Sequence, residues 1–190
     1  DLVTFYHHFT SKEDLRLQLL ARLGEQLHQY IAAALRTAPE RGDAQLRVFM
    51  DAAAGYKMGH LGQFLPMAFL YRPENDSLRH RLYQAWSHAT RDLLVAILAG
   101  GIADGSFNVA DAEATADVLT AVWYEGADRV WLRALERPDA TGFAESLLRG
   151  SQAMQQAQTR IVGMPDGTAT ITLTPDITAG LQQVYHQVKE

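Results

Sequence analysis

The 190 residues contain no cysteine, which excludes disulfide scaffolds, cysteine nucleophiles, Cys-ligated zinc and iron–sulfur clusters. Hydrophobic residues are 47 % and charged residues 21 %, which excludes global disorder and fits one globular domain, with room for a small appendage. The net charge of −5, taken over the whole chain, argues against nucleic-acid binding, because phosphate neutralisation needs a basic field.

The chain opens on Asp1 with neither an initiator methionine nor a helix-start signal, so further residues of the same domain are expected upstream. Residues 1–9 are short and aromatic. Ser11-Lys12-Glu13-Asp14 then reads as a capped helix start, with acids at the positive end. Leu20, Leu23, Leu27, Tyr30, Ile31 and Ala34 continue at helical spacing to about Thr37. Asp43 is expected to cap a second helix through Leu46, Phe49, Met50, Ala53 and Tyr56. A break follows near Met58–Gly62, then a short apolar helix near Gln63–Tyr71. Arg72-Pro73-Glu74-Asn75-Asp76 is a stop and restart. A long helix carries Leu78, Leu82, Ala85, Trp86, Ala89, Leu93, Ala96 and Ile97, and Gly100-Gly101 is expected to end it. Asp104-Gly105 marks a turn, and Asn108 or Asp111 caps a helix bearing Leu119, Val122, Trp123, Gly126, Val130, Ala134 and Leu135. Pro138 ends that helix, and the next holds Phe143, Leu147, Gly150, Met154, Ala157 and Ile161. Pro165-Asp166-Gly167 is a turn tripeptide. Thr168–Thr174 is rich in β-branched residues and reads as a lone strand; Thr170–Thr174 is expected to pair with, or pack on, a partner chain. Ile177, Leu181, Val184 and Val188 space as a last short helix.

Enzymatic motifs are missing. There is no Gly-x-Ser-x-Gly elbow, phosphate loop or Gly-x-Gly-x-x-Gly. A di-iron bundle wants two Glu-x-x-His pairs, and only Glu25–His28 has that spacing. His7 and His8 are adjacent and diverge on a helix. His80 and His88 lie two turns apart, about 12 Å by the helix rise, too far for one ion. No catalytic residue, metal or cofactor is therefore expected. No apolar run approaches the roughly 18 residues of a membrane span, so the expected setting is the cytoplasm, without a membrane partner.

Thr4-Phe5-Tyr6-His7-His8-Phe9-Thr10-Ser11-Lys12-Glu13-Asp14-Leu15 resembles the end of the DNA-binding domain of TetR-family transcriptional repressors. That pattern runs from a small residue or Thr through an apolar residue, Tyr, His and Phe to a turn, then Ser, Lys and two acids, then Leu. Phe5 stands where Leu is more usual and Thr10 where Pro is frequent. The physics of the segment agrees. Tyr6, His7 and Lys12 are compact donors beside two helix N-termini, whose free N–H groups suit phosphate. Phe5 and Phe9 read as anchors to the body. The resemblance implies that Thr4, Tyr6, His7 and Lys12 touch operator DNA, with His8 semi-structural. It also implies that two helices and the front of a third precede Asp1. Residues 1–36 carry equal numbers of acidic and basic side chains, so the −5 lies wholly in the remainder.

The implied fold is all-α. Residues 1–37 would be the remnant of a helix-turn-helix domain with its connecting helix. Residues 38–162 would be a helical effector-binding and dimerisation domain, and residues 163–190 a C-terminal extension. Tyr56, His60, Phe64, Met67, Leu70, Tyr83, Trp86, Trp123 and Tyr124 fall on the segments that enclose the effector cavity in that family, which predicts a small hydrophobic effector; Phe69 and Trp131 add to the same aromatic set. The last two long helices of the body carry Gly126, Val130, Leu147, Gly150, Ser151 and Met154. Their small residues permit close helix approach, either across a homodimer or within one chain. A two-fold dimer suits palindromic operators. The expected function is a homodimeric repressor, not an enzyme. The competing readings are a helical small-molecule-binding protein or enzyme without DNA-binding activity, and a dimerisation module with no cavity.

Overall fold

The computed structural model describes residues 11–60, 65–164 and 175–189. Six α-helices occur among them: α1 (Lys12–Leu35), α2 (Gly42–Gly59), α3 (Asp76–Asp104), α4 (Ala112–Leu135), α5 (Ala140–Ile161) and α6 (Pro175–Lys189). Two 3-10 segments, Leu65–Tyr71 and Pro73–Asn75, join α2 to α3. The fold is all-helical, and no described residue lies in a strand. The segment expected to form a strand, 168–174, lies outside the described residues, as do 1–10.

Local chemistry sets the helix starts. The Ser11 hydroxyl accepts from the Asp14 N–H at 3.0 Å, Asp111 from Ala114 at 2.8 Å, and Asp139 from Gly142 at 2.8 Å. Each satisfies one of the unpaired N–H groups of a first turn. Two sequence expectations are corrected. Asp43 lies inside the first turn of α2, where Arg41 is the cap residue; the α2 N-terminus is capped from elsewhere, by Asp104 Oδ2 on the Gly42 N–H at 2.8 Å and Ser106 Oγ on the Asp43 N–H at 3.2 Å. Helix α3 does not stop at Gly100-Gly101 but runs to Asp104, with Gly105 at φ +75° as its left-handed cap. Gly101 has a packing role instead: a Cβ there would overlap the Phe107 ring, and one on Gly42 would overlap Gly101 itself. Pro175 opens α6, a position where the missing N–H of proline costs nothing.

Helix α1 packs on α2 and α3, α4 on α3 and α5, and α6 on α5 and Leu65–Tyr71. The main core joins Leu27 and Ile31 of α1, Leu46 and Phe49 of α2, Leu94 and Leu98 of α3, and Leu119 of α4. Beneath α6, Phe143 and Leu147 meet Val184 and Tyr185. A third cluster holds Leu20, Leu70, Leu78 and Leu82. Arg79 ties the 3-10 segment to the helices. It is 3 % exposed, donates to Asp128 at 2.5 Å and to the Leu70 carbonyl at 2.7 Å, and pairs with Asp76. No described helix is long and apolar enough to cross a membrane.

Candidate functional site

The three clusters leave a hollow between the helices, a cavity of about 420 Å³. Its size falls within the range of small-ligand sites, roughly 300–1,000 Å³. Leu27, His28 and Ile31 of α1 form one wall, and Phe49, Met50, Ala53 and Lys57 of α2 another. Met67 and Tyr71 come from the 3-10 segment, and Tyr83, Trp86 and Thr90 from α3. Helix α4 gives Trp123, Tyr124, Ala127 and Trp131; α5 gives Met154; α6 gives Leu181 and Val184. A smaller hollow of about 130 Å³ adjoins it, sharing Met50, Trp123, Ala127, Trp131 and Met154 and adding Val130 and Ser151.

Aromatic rings hold the shape. Phe49 stacks on Trp123 with centroids 5.3 Å apart, and Tyr71 on Trp131 at 5.0 Å. The Trp123 indole donates to Gln158 Oε1 at 2.9 Å. The Trp86 indole N–H is buried, without a hydrogen-bond partner among the described residues, and the indole fits because residue 24 is glycine: a Cβ there would overlap it.

The polar groups of the wall are mostly committed to one another. His28 Nδ1 lies 2.7 Å from the Gly24 carbonyl and Nε2 2.8 Å from Thr90 Oγ1. Thr90 Oγ1 lies 2.7 Å from the Tyr124 hydroxyl. A carbonyl only accepts, so Nδ1 carries the hydrogen. In the neutral ring Nε2 then accepts from Thr90, and Thr90 accepts from Tyr124. Burial keeps the imidazole neutral by lowering its pKa, and the nearby Lys57 charge pushes the same way. On the opposite side the Tyr71 and Tyr83 hydroxyls share a 2.5 Å hydrogen bond. Burial raises all three phenols, Tyr71 most, Tyr83 less and Tyr124 to about 12. Each is therefore a neutral hydroxyl at physiological pH. Lys57 retains accessible surface, yet enclosure by protein lowers its pKa. The side chain is exposed, and it also takes part in the lining of the cavity.

Of the residues expected in an effector pocket, Met67, Tyr83, Trp86, Trp123 and Tyr124 line the cavity. Tyr56, His60 and Leu70 do not. The Tyr56 ring is 4.1 Å from that of His60 and 5.2 Å from Tyr30, His60 Nδ1 sits 2.9 Å from the Tyr56 carbonyl, and Leu70 is fully buried in the third cluster. Phe64, and Thr4, Tyr6, His7 and His8 of the motif, lie outside the described residues; Lys12 is the first residue of α1. The residues expected at a dimer interface make contacts within one chain. Gly150 abuts Val130, Gly126 faces Met154, and Leu147 is core. They set the approach of α4 to α5 within the chain, while α4 leaves Val118 and Leu132 exposed.

Sequence reasoning missed His28, Thr90 and Lys57. A signal existed for the last, since Phe49, Ala53 and Lys57 follow one another at i, i+4 and i+8 on one helix face. No group of three or more His, Asp or Glu capable of holding a metal occurs among the described residues. No family model matches the chain, and no curated protein or solved structure matches it.

Proposed function

We propose that the chain is the effector-binding body of a TetR-like transcriptional repressor, which holds operator DNA as a homodimer and releases it when a small hydrophobic effector fills the cavity. The observation that carries this reading is the aromatic cavity directly downstream of the Thr4–Leu15 motif. Helix α1 supplies the coupling. It begins at Lys12, within the motif, and its Leu27, His28 and Ile31 are cavity wall. From Lys12 to His28 a continuous helix spans about 24 Å at ~1.5 Å per residue. An occupant that favours a different seat for α1 favours a different spacing of the two DNA-binding ends, so effector and operator affinities are linked. The acidic remainder is not itself expected to bind DNA.

The test is DNA retention by the full protein as encoded, on fragments from its own gene region. A salt-dependent complex on a two-fold symmetric sequence, weakened by a hydrophobic compound that raises the melting temperature, is the expected result. Ligand binding with no DNA retention at low salt replaces this reading with a helical small-molecule-binding protein, and consumption of the ligand replaces it with an enzyme.

A further inference from the structure

Among the described residues Lys57 is the one lysine or arginine of the cavity wall, and no described Asp or Glu lines the cavity. Lys57 has no hydrogen bond or ion pair to any described residue. The nearest polar partners are spent elsewhere. Both nitrogens of His28 are engaged, Thr90 bridges His28 to Tyr124, and the Tyr71 and Tyr83 hydroxyls hold each other. Asp128 is bound by Arg79. Lys57 is exposed and lies in the last turn of α2, where a cation suits the helix dipole. Against an otherwise uncharged, largely apolar described lining, it is the group that can pair with an anionic occupant.

We propose that Lys57 anchors a carboxylate, and that the cavity takes a hydrophobic monocarboxylic acid with its acid group at Lys57 and its apolar body among Phe49, Trp86 and Trp123. This deepens the effector reading above and rests on it. One cation selects one negative charge: a dianion such as a phosphate monoester would bring a second charge into an apolar wall, and a neutral alcohol would leave the ammonium uncompensated. The anion also restores to Lys57 the proton affinity that enclosure removes.

The test uses the 190-residue chain and two matched pairs, 2-naphthoate with 2-naphthalenemethanol and decanoate with decanol. Binding is followed by quenching of the cavity tryptophans and by calorimetry. Each acid is expected to bind at least tenfold more tightly than its alcohol. In Lys57→Met the acid should fall to the level of the alcohol, whose own affinity stays within twofold. Equal binding of acid and alcohol to the natural chain, or an acid preference that survives Lys57→Met, overturns the assignment and leaves the hydrophobic cavity standing. If neither acids nor alcohols bind, the effector reading falls together with it.

Discussion

Replacing Arg79 by methionine should cost about 3–4 kcal/mol of stability, and the figure can be built from its three partners. The Leu70 carbonyl belongs to a fully buried residue and would lose the guanidinium donor 2.7 Å away; leaving such a group unpaired costs roughly 1–3 kcal/mol. The Asp128 side chain is 26 % exposed, so its loss lies between a surface pair and a buried one, about 1–2 kcal/mol. Asp76 is 75 % exposed, and that pair contributes little. Methionine retains most of the stem packing. At roughly 2–4 °C per kcal/mol for a chain of this size, the melting midpoint should fall by about 6–16 °C. Urea unfolding followed by circular dichroism gives the free energy, and Asp128→Asn alone should cost clearly less. A loss below about 1 kcal/mol for Arg79→Met would mean that water reaches the Leu70 carbonyl, and would refute the assignment of Arg79 as the tie between the 3-10 segment and α3.

Gly24→Ala places a methyl group where the Trp86 indole lies; a loss of about 1–3 kcal/mol is expected, together with a shifted tryptophan emission as the cavity wall moves, and an unchanged spectrum would count against the contact. His28 has a lowered pKa in the fold, so the unfolded chain binds its proton first; the stability held by neutral His28 is complete above about pH 6.5 and is lost as pH falls from there through the folded pKa. The melting temperature of His28→Gln should therefore depend less on pH between 7 and 5 than that of the natural chain, and parallel curves would show that His28 is not the group responsible. Tyr124→Phe removes the hydroxyl that meets Thr90 without altering ring packing; about 1 kcal/mol of destabilisation is expected, and no change in melting temperature would place that hydroxyl in contact with water.

The helices were legible because periodicity and caps carry them. Ser11, Asp111 and the Asp104-Gly105 turn sit where side-chain chemistry alone puts them. The errors came from long-range terms. Gly100-Gly101 resembles a helix end, yet both residues lie inside α3, and at Gly101 it is Phe107 and Gly42 that need the space of a missing Cβ. Asp43 resembles a cap, but the α2 N-terminus is met by Asp104 and Ser106, more than sixty residues away. The cavity was half visible. Bulky aromatics announced that α3 and α4 face a shared interior, and Trp86, Trp123 and Tyr124 do so. Tyr56 and His60 fell away because stacking on each other and on Tyr30 satisfies them locally. Lys57 carries no sequence signal of its own because a lone lysine on a helix is ordinarily solvated, and its place in a cavity wall depends on α1, α3 and α4 lining the same cavity. For Gly150 and Gly126 the sequence leaves both packing partners open, since a small residue does not declare which backbone approaches it.

The run from Tyr124 through Thr90 and His28 to the Gly24 carbonyl is a wire with one end fixed. Because the carbonyl cannot donate, a neutral imidazole forces every hydroxyl to point the same way, and Tyr124 is left showing lone pairs to the interior. Adding one proton to His28 lifts that constraint: Nε2 then donates to Thr90, the Thr90 hydrogen is released to donate to Tyr124, and only then is the phenolic hydrogen free to turn inward. Whether a guest ketone can find a donor at that oxygen thus depends on a proton held two residues further along the row.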